Sequence, residues 1–251
     1  MCTLAIYFQV SPRLPLVIAA NRDEFLARPA TDPQLISTEP WVVGGRDIVA
    51  GGTWLGVNQH RMVVGLLNRM RPGGPDPSRR SRGLLCLEAL QAGGPAEVLE
   101  LLQGIRADDY NGFNLLFADA SEAYVATNHL DRLAVSHLSA GVHLLTNLDL
   151  DDPTCPRIAR SHRLFRDVAL PEHESGVPGL IERLRTLLGD HDVPLDPRGE
   201  SVGNTLCLHR GEYGTRSSSI VSSVASGAAL RYWHAAGPPC RTEYVEVPLP
   251  A

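Results

Sequence analysis

Cys2 follows the initiator methionine, and a small residue in second place permits aminopeptidase removal of Met1. The cysteine then carries a thiol and a free α-amine, a nucleophile with its own general base. A free thiol titrates near about 8.5 and an α-amine near about 7.7–8.0, so proton transfer between them is almost balanced at neutral pH. Two apolar runs follow, Thr3 to Val10 and Leu14 to Ala20, parted by Ser11-Pro12-Arg13. They predict a β-hairpin, which returns Asn21-Arg22-Asp23-Glu24 to the side of the N-terminus. A carboxylate there can hold a protonated α-amine. Adjacent residues of an extended strand face opposite ways. Arg22 and Asp23 therefore do not both reach Cys2 by one route unless a turn begins between them.

Other polar residues sit where apolar runs end. Asn68 closes Leu66-Leu67-Asn68, and Asn147 closes Leu144-Leu145-Thr146-Asn147. A side-chain amide at a strand end either donates to a developing oxyanion or caps a turn. Arg216 follows Tyr213-Gly214-Thr215 and precedes a serine-rich apolar stretch; by spacing alone it reads equally well as a surface turn residue. Gly51-Gly52-Thr53-Trp54-Leu55-Gly56 lacks the strand-to-helix setting of a dinucleotide fingerprint. It predicts tight hairpin geometry, with Trp54 lining a core or pocket. Arg69 to Arg82 holds five arginines among prolines and glycines, which predicts an irregular loop, either solvated surface or an anion-binding rim.

Composition removes several chemistries. The 251 residues contain no lysine, all 23 cationic side chains being arginine, which excludes a P-loop lysine, a pyridoxal Schiff base and a Ser-Lys dyad. The net charge of −5 argues against a nucleic-acid partner. The five cysteines lack CxxC spacing and the histidines lack HxH or HExxH spacing, so neither a disulfide framework, a metal centre nor a cofactor is expected. No apolar run approaches membrane-span length and no basic leader opens the chain; a cytoplasmic protein without a transmembrane segment is expected.

The elements that position these residues read as strands, two helices, strands, two helices, strands. Helices are predicted at Ser81 to Gln91, Pro95 to Ile105, Arg157 to Val168 and Leu180 to Leu188. Trp41 to Val49 reads as a short strand, and Thr53 to Asn58 with Arg61 to Leu67 as a second hairpin. Further strands are predicted at Phe113 to Ala118, Ala123 to Thr127, Leu133 to Ser136 and Val142 to Leu145. The last four are Asn204 to His209, Ser218 to Ala225, Ala228 to Trp233 and Glu243 to Val247. Phe25 to Pro40 reads as a surface excursion. Short turns favour antiparallel pairing, an α+β fold that admits two sheets each covered by a helical pair, within a single domain over residues 1–251.

Cys2, Asn21-Arg22-Asp23-Glu24, Gly51 to Gly56, Asn111-Gly112-Phe113-Asn114-Leu115-Leu116 and Tyr213-Gly214-Thr215-Arg216 occur together and in order. In this the chain resembles the NRDE family, which includes the transport and Golgi organisation 2 proteins. That family is similar to N-terminal nucleophile hydrolases of the bile-salt hydrolase and penicillin V acylase kind. The resemblance implies a four-layer αββα sandwich and a cysteine amidohydrolase acting on a linear amide or a thioester. It implies Cys2 as nucleophile, Asp23 against the α-amine, Asn68 as oxyanion donor and Asn147 as a second polar site residue. Arg216 is then the late arginine that favours thiolate, with Arg22 and Trp54 as substrate-binding candidates. The family's association with haem handling and acyl-CoA or lipid metabolism implies the alternative of a non-catalytic binding and trafficking protein. The expected small-molecule partner is thus an acyl-amide, an acyl-CoA or haem.

Overall fold

The computed structural model describes residues 2–69, 73–130, 132–193, 205–224 and 230–250. In chain order the first elements are β1 (Thr3–Phe8), β2 (Leu16–Phe25), β3 (Gln34–Thr38), β4 (Trp41–Gly44), β5 (Leu55–Asn58) and β6 (Val63–Asn68). Helices α1 (Arg82–Leu90) and α2 (Pro95–Gln103) precede β7 (Phe113–Ala118), β8 (Ala123–His129), β9 (Arg132–His137) and β10 (Gly141–Leu145). Then come α3 (Pro156–Arg166), α4 (Val177–Leu188), β11 (His209–Arg210), β12 (Tyr213–Ser223), β13 (Arg231–Ala235) and β14 (Val245–Val247). They make two compact units, one of the residues up to Arg28 with 140–246, the other of 29–139 with the residues from Val247 on.

In the first unit every residue of β1 is buried, so this strand reads as one unbroken apolar run. Its sheet runs β10-β1-β2-β12-β13-β14, with β11 pairing β12. The pairs of β1, β2, β10, β12 and β13 are antiparallel. Ala5, Tyr7, Val17, Ala19 and Ile220 share one face and pack against Ile158, Phe165, Leu180 and Leu184 of α3 and α4. Pro156 opens α3 at a position whose N–H would have no helical acceptor.

The second unit is a meander, β3 to β9, each strand paired antiparallel with the next. Val64, Leu115, Phe117 and Ala126 pack against Leu85, Ala89, Leu90, Val98 and Leu102 of α1 and α2. A Cβ at Gly52 would lie 2.2 Å from the Gly83 carbonyl carbon. That glycine therefore serves the seat of α1, while Gly51, at φ +73°, makes the turn before it. Both sheets thus carry their own helical pair, as predicted, and among the described residues no helix is long and apolar enough to cross a membrane.

Three expectations are corrected. Phe25 to Pro40 is not all excursion, because Gln34–Thr38 pairs with β4. β2 and β12 pair from Leu16↔Ser223 to Phe25↔Tyr213, so Asn21 to Glu24 and Tyr213 to Arg216 lie inside strands; a neighbouring strand satisfies their backbone where apolar alternation gives no signal. Residues 205–208 form no strand, since their backbone is held from the side: Cys207 N–H by Asp190 O, Leu208 N–H by Thr215 Oγ1. Met1, Arg71, Pro72, Asn204, Ala225 and Ala228 lie outside the described residues.

Candidate active site

Cys2 stands one residue before β1, whose first pair with β2 is Thr3↔Asn21. The Asp23 N–H donates to Cys2 Sγ at 3.3 Å and the thiol donates to Asp23 O at 3.5 Å. The residue is partly exposed, yet its sulphur is clasped by the neighbouring main chain.

Strand alternation sorts the surrounding charges. Thr3 and Asn21 continue the helix-facing row of Ala5 and Ala19. The Asn21 side-chain amide donates to Leu188 O at 2.8 Å and Leu206 O at 3.0 Å. Asp23, two residues on, keeps that face, and Thr215 Oγ1 donates to its Oδ1 at 2.7 Å. Arg22 falls on the opposite face, which is that of Cys2, and lies 3.8 Å from Glu24. No turn begins between Arg22 and Asp23; the strand runs straight through them. The sequence expectation of opposite faces holds, and Asp23 reaches Cys2 through its backbone.

Arg157, which sequence reasoning left at a helix end, is buried in the first turn of α3 and donates to Thr3 Oγ1 at 2.7 Å. Its charge and that of Asp23 act on one another. Burial pushes the Asp23 carboxyl above the usual carboxylate range, against the pull of the Thr215 hydrogen bond and of Arg157. Burial first, and then the charge of Asp23, push the Cys2 thiol up; Arg22 pulls it down. In the chain that retains Met1, desolvation outweighs the charge of Arg22.

Arg216 is the extra residue of a β-bulge, since Thr215 pairs with Asp23 and Ser217 with Arg22. A bulge re-aims a side chain, so Arg216 departs from the alternation of β12. Asn147 lies two residues beyond β10, whose Leu145 pairs with Leu4; that register, carried on, brings Asn147 level with Cys2. Cys2, Arg22, Asp23, Asn147 and Arg216 therefore gather at one end of the same sheet. Asn68 and Trp54 belong to the second unit. Asn68 is the last residue of β6, across from Phe113, and the Trp54 ring covers Gly45, where a Cβ would lie 2.5 Å from it.

The described arginines of the stretch from Arg69 to Arg82 are committed within the second unit. Arg79 Nη1 donates to Tyr110 O at 2.8 Å, Arg82 Nη1 to Gly112 O at 2.9 Å, and Arg69 Nη1 to Asn114 Oδ1 at 3.3 Å. Arg80 pairs with Glu88. Asn111 clamps the loop by exchanging two 2.8 Å bonds with the Asp76 backbone. A cavity of about 770 Å³ beside Arg79 and Arg80 is lined as well by Asp76, Glu88, Asp108 and Asp109. Its mixed charge does not make an anion rim.

The sequence matches the family description "Transport and Golgi organisation 2" over residues 1–233. The chain belongs to that family. It is 29% identical over 251 residues to the Transport and Golgi organization protein 2 homolog of Bos taurus, covering 88% of this chain and 89% of the relative. The Homo sapiens homolog is 28% identical over 254 residues, with the same coverage of 88% and 89%. Solved structures extend the likeness at the level of fold. A Caenorhabditis elegans N-acylethanolamine-hydrolyzing acid amidase ortholog superposes with TM-score 0.58 at 12% identity, over 87% of this chain and 92% of that one. Penicillin V acylase from Agrobacterium tumefaciens gives 0.54 at 13%, over 94% and 83%. A conjugated bile acid hydrolase variant from Clostridium perfringens gives 0.55 at 12%, over 98% and 92%. The α+β fold is that of N-terminal nucleophile hydrolases.

Proposed function

We propose that this Transport and Golgi organisation 2 family member is an N-terminal cysteine hydrolase that cleaves a linear amide or a thioester once Met1 is removed. The observation that carries this reading is the seat of Cys2: a partly exposed residue at the head of β1, its sulphur 3.3 Å from the Asp23 amide, with Arg22, Asp23, Asn147 and Arg216 at the same sheet end. The freed α-amine takes the thiol proton, and Sγ attacks the carbonyl carbon to form a tetrahedral oxyanion. The ammonium then gives its proton to the departing nitrogen or sulphur. Water hydrolyses the resulting acyl-thioester and restores the thiol. Asp23 holds the ammonium, Arg22 supplies positive charge on the thiol's face, and Asn147 stabilises the oxyanion. Arg216, whose Nε is buried with no hydrogen bond among the described residues, is kept for a substrate carboxylate or acyl oxygen. The hydrolysing relatives support the chemistry by analogy of fold.

The test is turnover of an acyl-amide and acyl-thioester panel by protein whose intact mass lacks methionine. Cys2→Ala abolishes it, and processed protein inert on the whole panel rejects the reading. One feature favours the alternative of a haem or acyl-CoA binding protein: burial pushes the Cys2 thiol above its ordinary range. A binder retains its ligand in Cys2→Ala and shows no turnover in either form.

A further inference from the structure

His191, Cys207, His209 and Cys240 come from three separate stretches of the chain, so no linear spacing betrays them. In the folded first unit their ligand atoms all lie within 4.8 Å of one another. The two sulphurs are 3.7 Å apart, and His209 Nε2 stands 3.7 Å from Cys207 Sγ and 3.3 Å from Cys240 Sγ. Tetrahedral zinc with about 2.3 Å bonds to sulphur and about 2.0–2.1 Å to nitrogen sets ligand edges of about 3.8 Å and about 3.6 Å. From these residues we infer a tetrahedral Cys2His2 site for Zn²⁺, separate from the Cys2 centre.

The surroundings have the features of a built site. His191 Nδ1 lies 3.2 Å from the Cys207 carbonyl. A proton on Nδ1 then leaves Nε2 with its lone pair for the metal, the usual way a backbone carbonyl orients a ligating imidazole. The loop carrying His191 is fixed from two sides: Arg160 pairs with Asp190, and Asp190 O accepts the Cys207 N–H at 3.0 Å. The Cys240 turn is tied to α4 by Arg185 Nε donating to Pro239 O at 3.2 Å. Gly189 admits that turn closely, a Cβ there standing 3.3 Å from Cys240 N. Binding converts both thiols to thiolates, their protons passing to solvent, and no oxidant or reductant takes part.

The site would staple the end of α4, the approach to β11 and the last turn of the first unit. Leu208, between two of the ligands, gives its N–H to Thr215 Oγ1 at 2.9 Å, the hydroxyl that holds Asp23. A bound metal therefore fixes the residue that sets the carboxylate.

Co²⁺ added to reduced, chelator-treated full-length protein is the probe. The expected result is a single Co²⁺ per chain, with sulphur charge-transfer and intense visible d–d bands that Zn²⁺ abolishes. Cys240→Ser and His191→Ala alter exposed residues, so the fold survives, as circular dichroism checks. Each should weaken binding by at least the roughly 10–100-fold that loss of an outer-shell partner costs, while Cys2→Ala binds normally. Absent bands, equal affinity in both variants, or a Cys207–Cys240 disulfide formed in place of metal binding overturns the assignment.

Discussion

Thr215 Oγ1 donates to Asp23 Oδ1 at 2.7 Å while it accepts the Leu208 N–H at 2.9 Å. One hydroxyl thus aims the carboxylate and anchors a stretch that has no strand ladder of its own. Thr215→Val keeps the shape and removes both bonds, leaving a buried N–H without its acceptor. A stability loss of about 1–3 kcal/mol is expected, read in urea titration as a lower midpoint with an unchanged slope.

Asp23→Asn should separate stability from activity. The folded carboxyl is raised above its unfolded value, so the folded state binds its proton more tightly. Wild-type stability therefore falls as pH rises from the ordinary carboxylate pKa through the raised one, and stays lower above it. The amide can still accept from Thr215 and carries no buried charge. The variant should be more stable than wild type at neutral pH, with the advantage vanishing in acid, and should turn over slowly. Thermal melts across pH with kcat measured alongside check this; an advantage that grows on acidification contradicts it.

Cys2 should alkylate in two distinct ways. In chain that retains methionine the buried thiol reacts slowly at neutral pH and accelerates only above the ordinary thiol range. In processed chain the adjacent amine should bring that rise toward neutrality. Iodoacetamide rates against pH, with Cys2→Ala identifying the site by mass, distinguish the two forms.

Asn147→Ala should lower kcat about 10²–10³-fold, as loss of one oxyanion donor does, with little change in KM. A pure turn-capping role would shift the melting temperature and leave kcat of the folded fraction untouched.

Asn21→Ala should cost about 1–3 kcal/mol, because its amide satisfies two buried carbonyls, Leu188 O and Leu206 O. A hydrogen-exchange comparison should show lost protection around the end of α4 rather than at Cys2.

Element order, the helical pairs and most strands were legible in the sequence because apolar periodicity records burial. Cys2, Arg22 and Asp23 were legible because a hairpin is a local structure with a predictable return. Arg157 was not: a buried cation breaks the amphipathic pattern, and its reason for being there, Thr3, is 154 residues away. The bulge at Arg216 was hidden as well, since it exists only relative to β2. The cysteine–histidine cluster escaped because its members meet through α4, β11 and a late turn, not through spacing.

The strands that flank the β1–β2 hairpin are β10 and β12, and Thr215 is 192 residues from the Asp23 it holds. At ribosomal rates of about 5–20 residues per second, roughly 10–40 s separate the emergence of these two partners. Throughout that interval the hairpin lacks its β12 neighbour, even after β10 has emerged, and the sheet stays open on the β2 side. The order of the strands thus acts as a clock: the proteolytic event that the proposed chemistry requires has its window before the sheet closes.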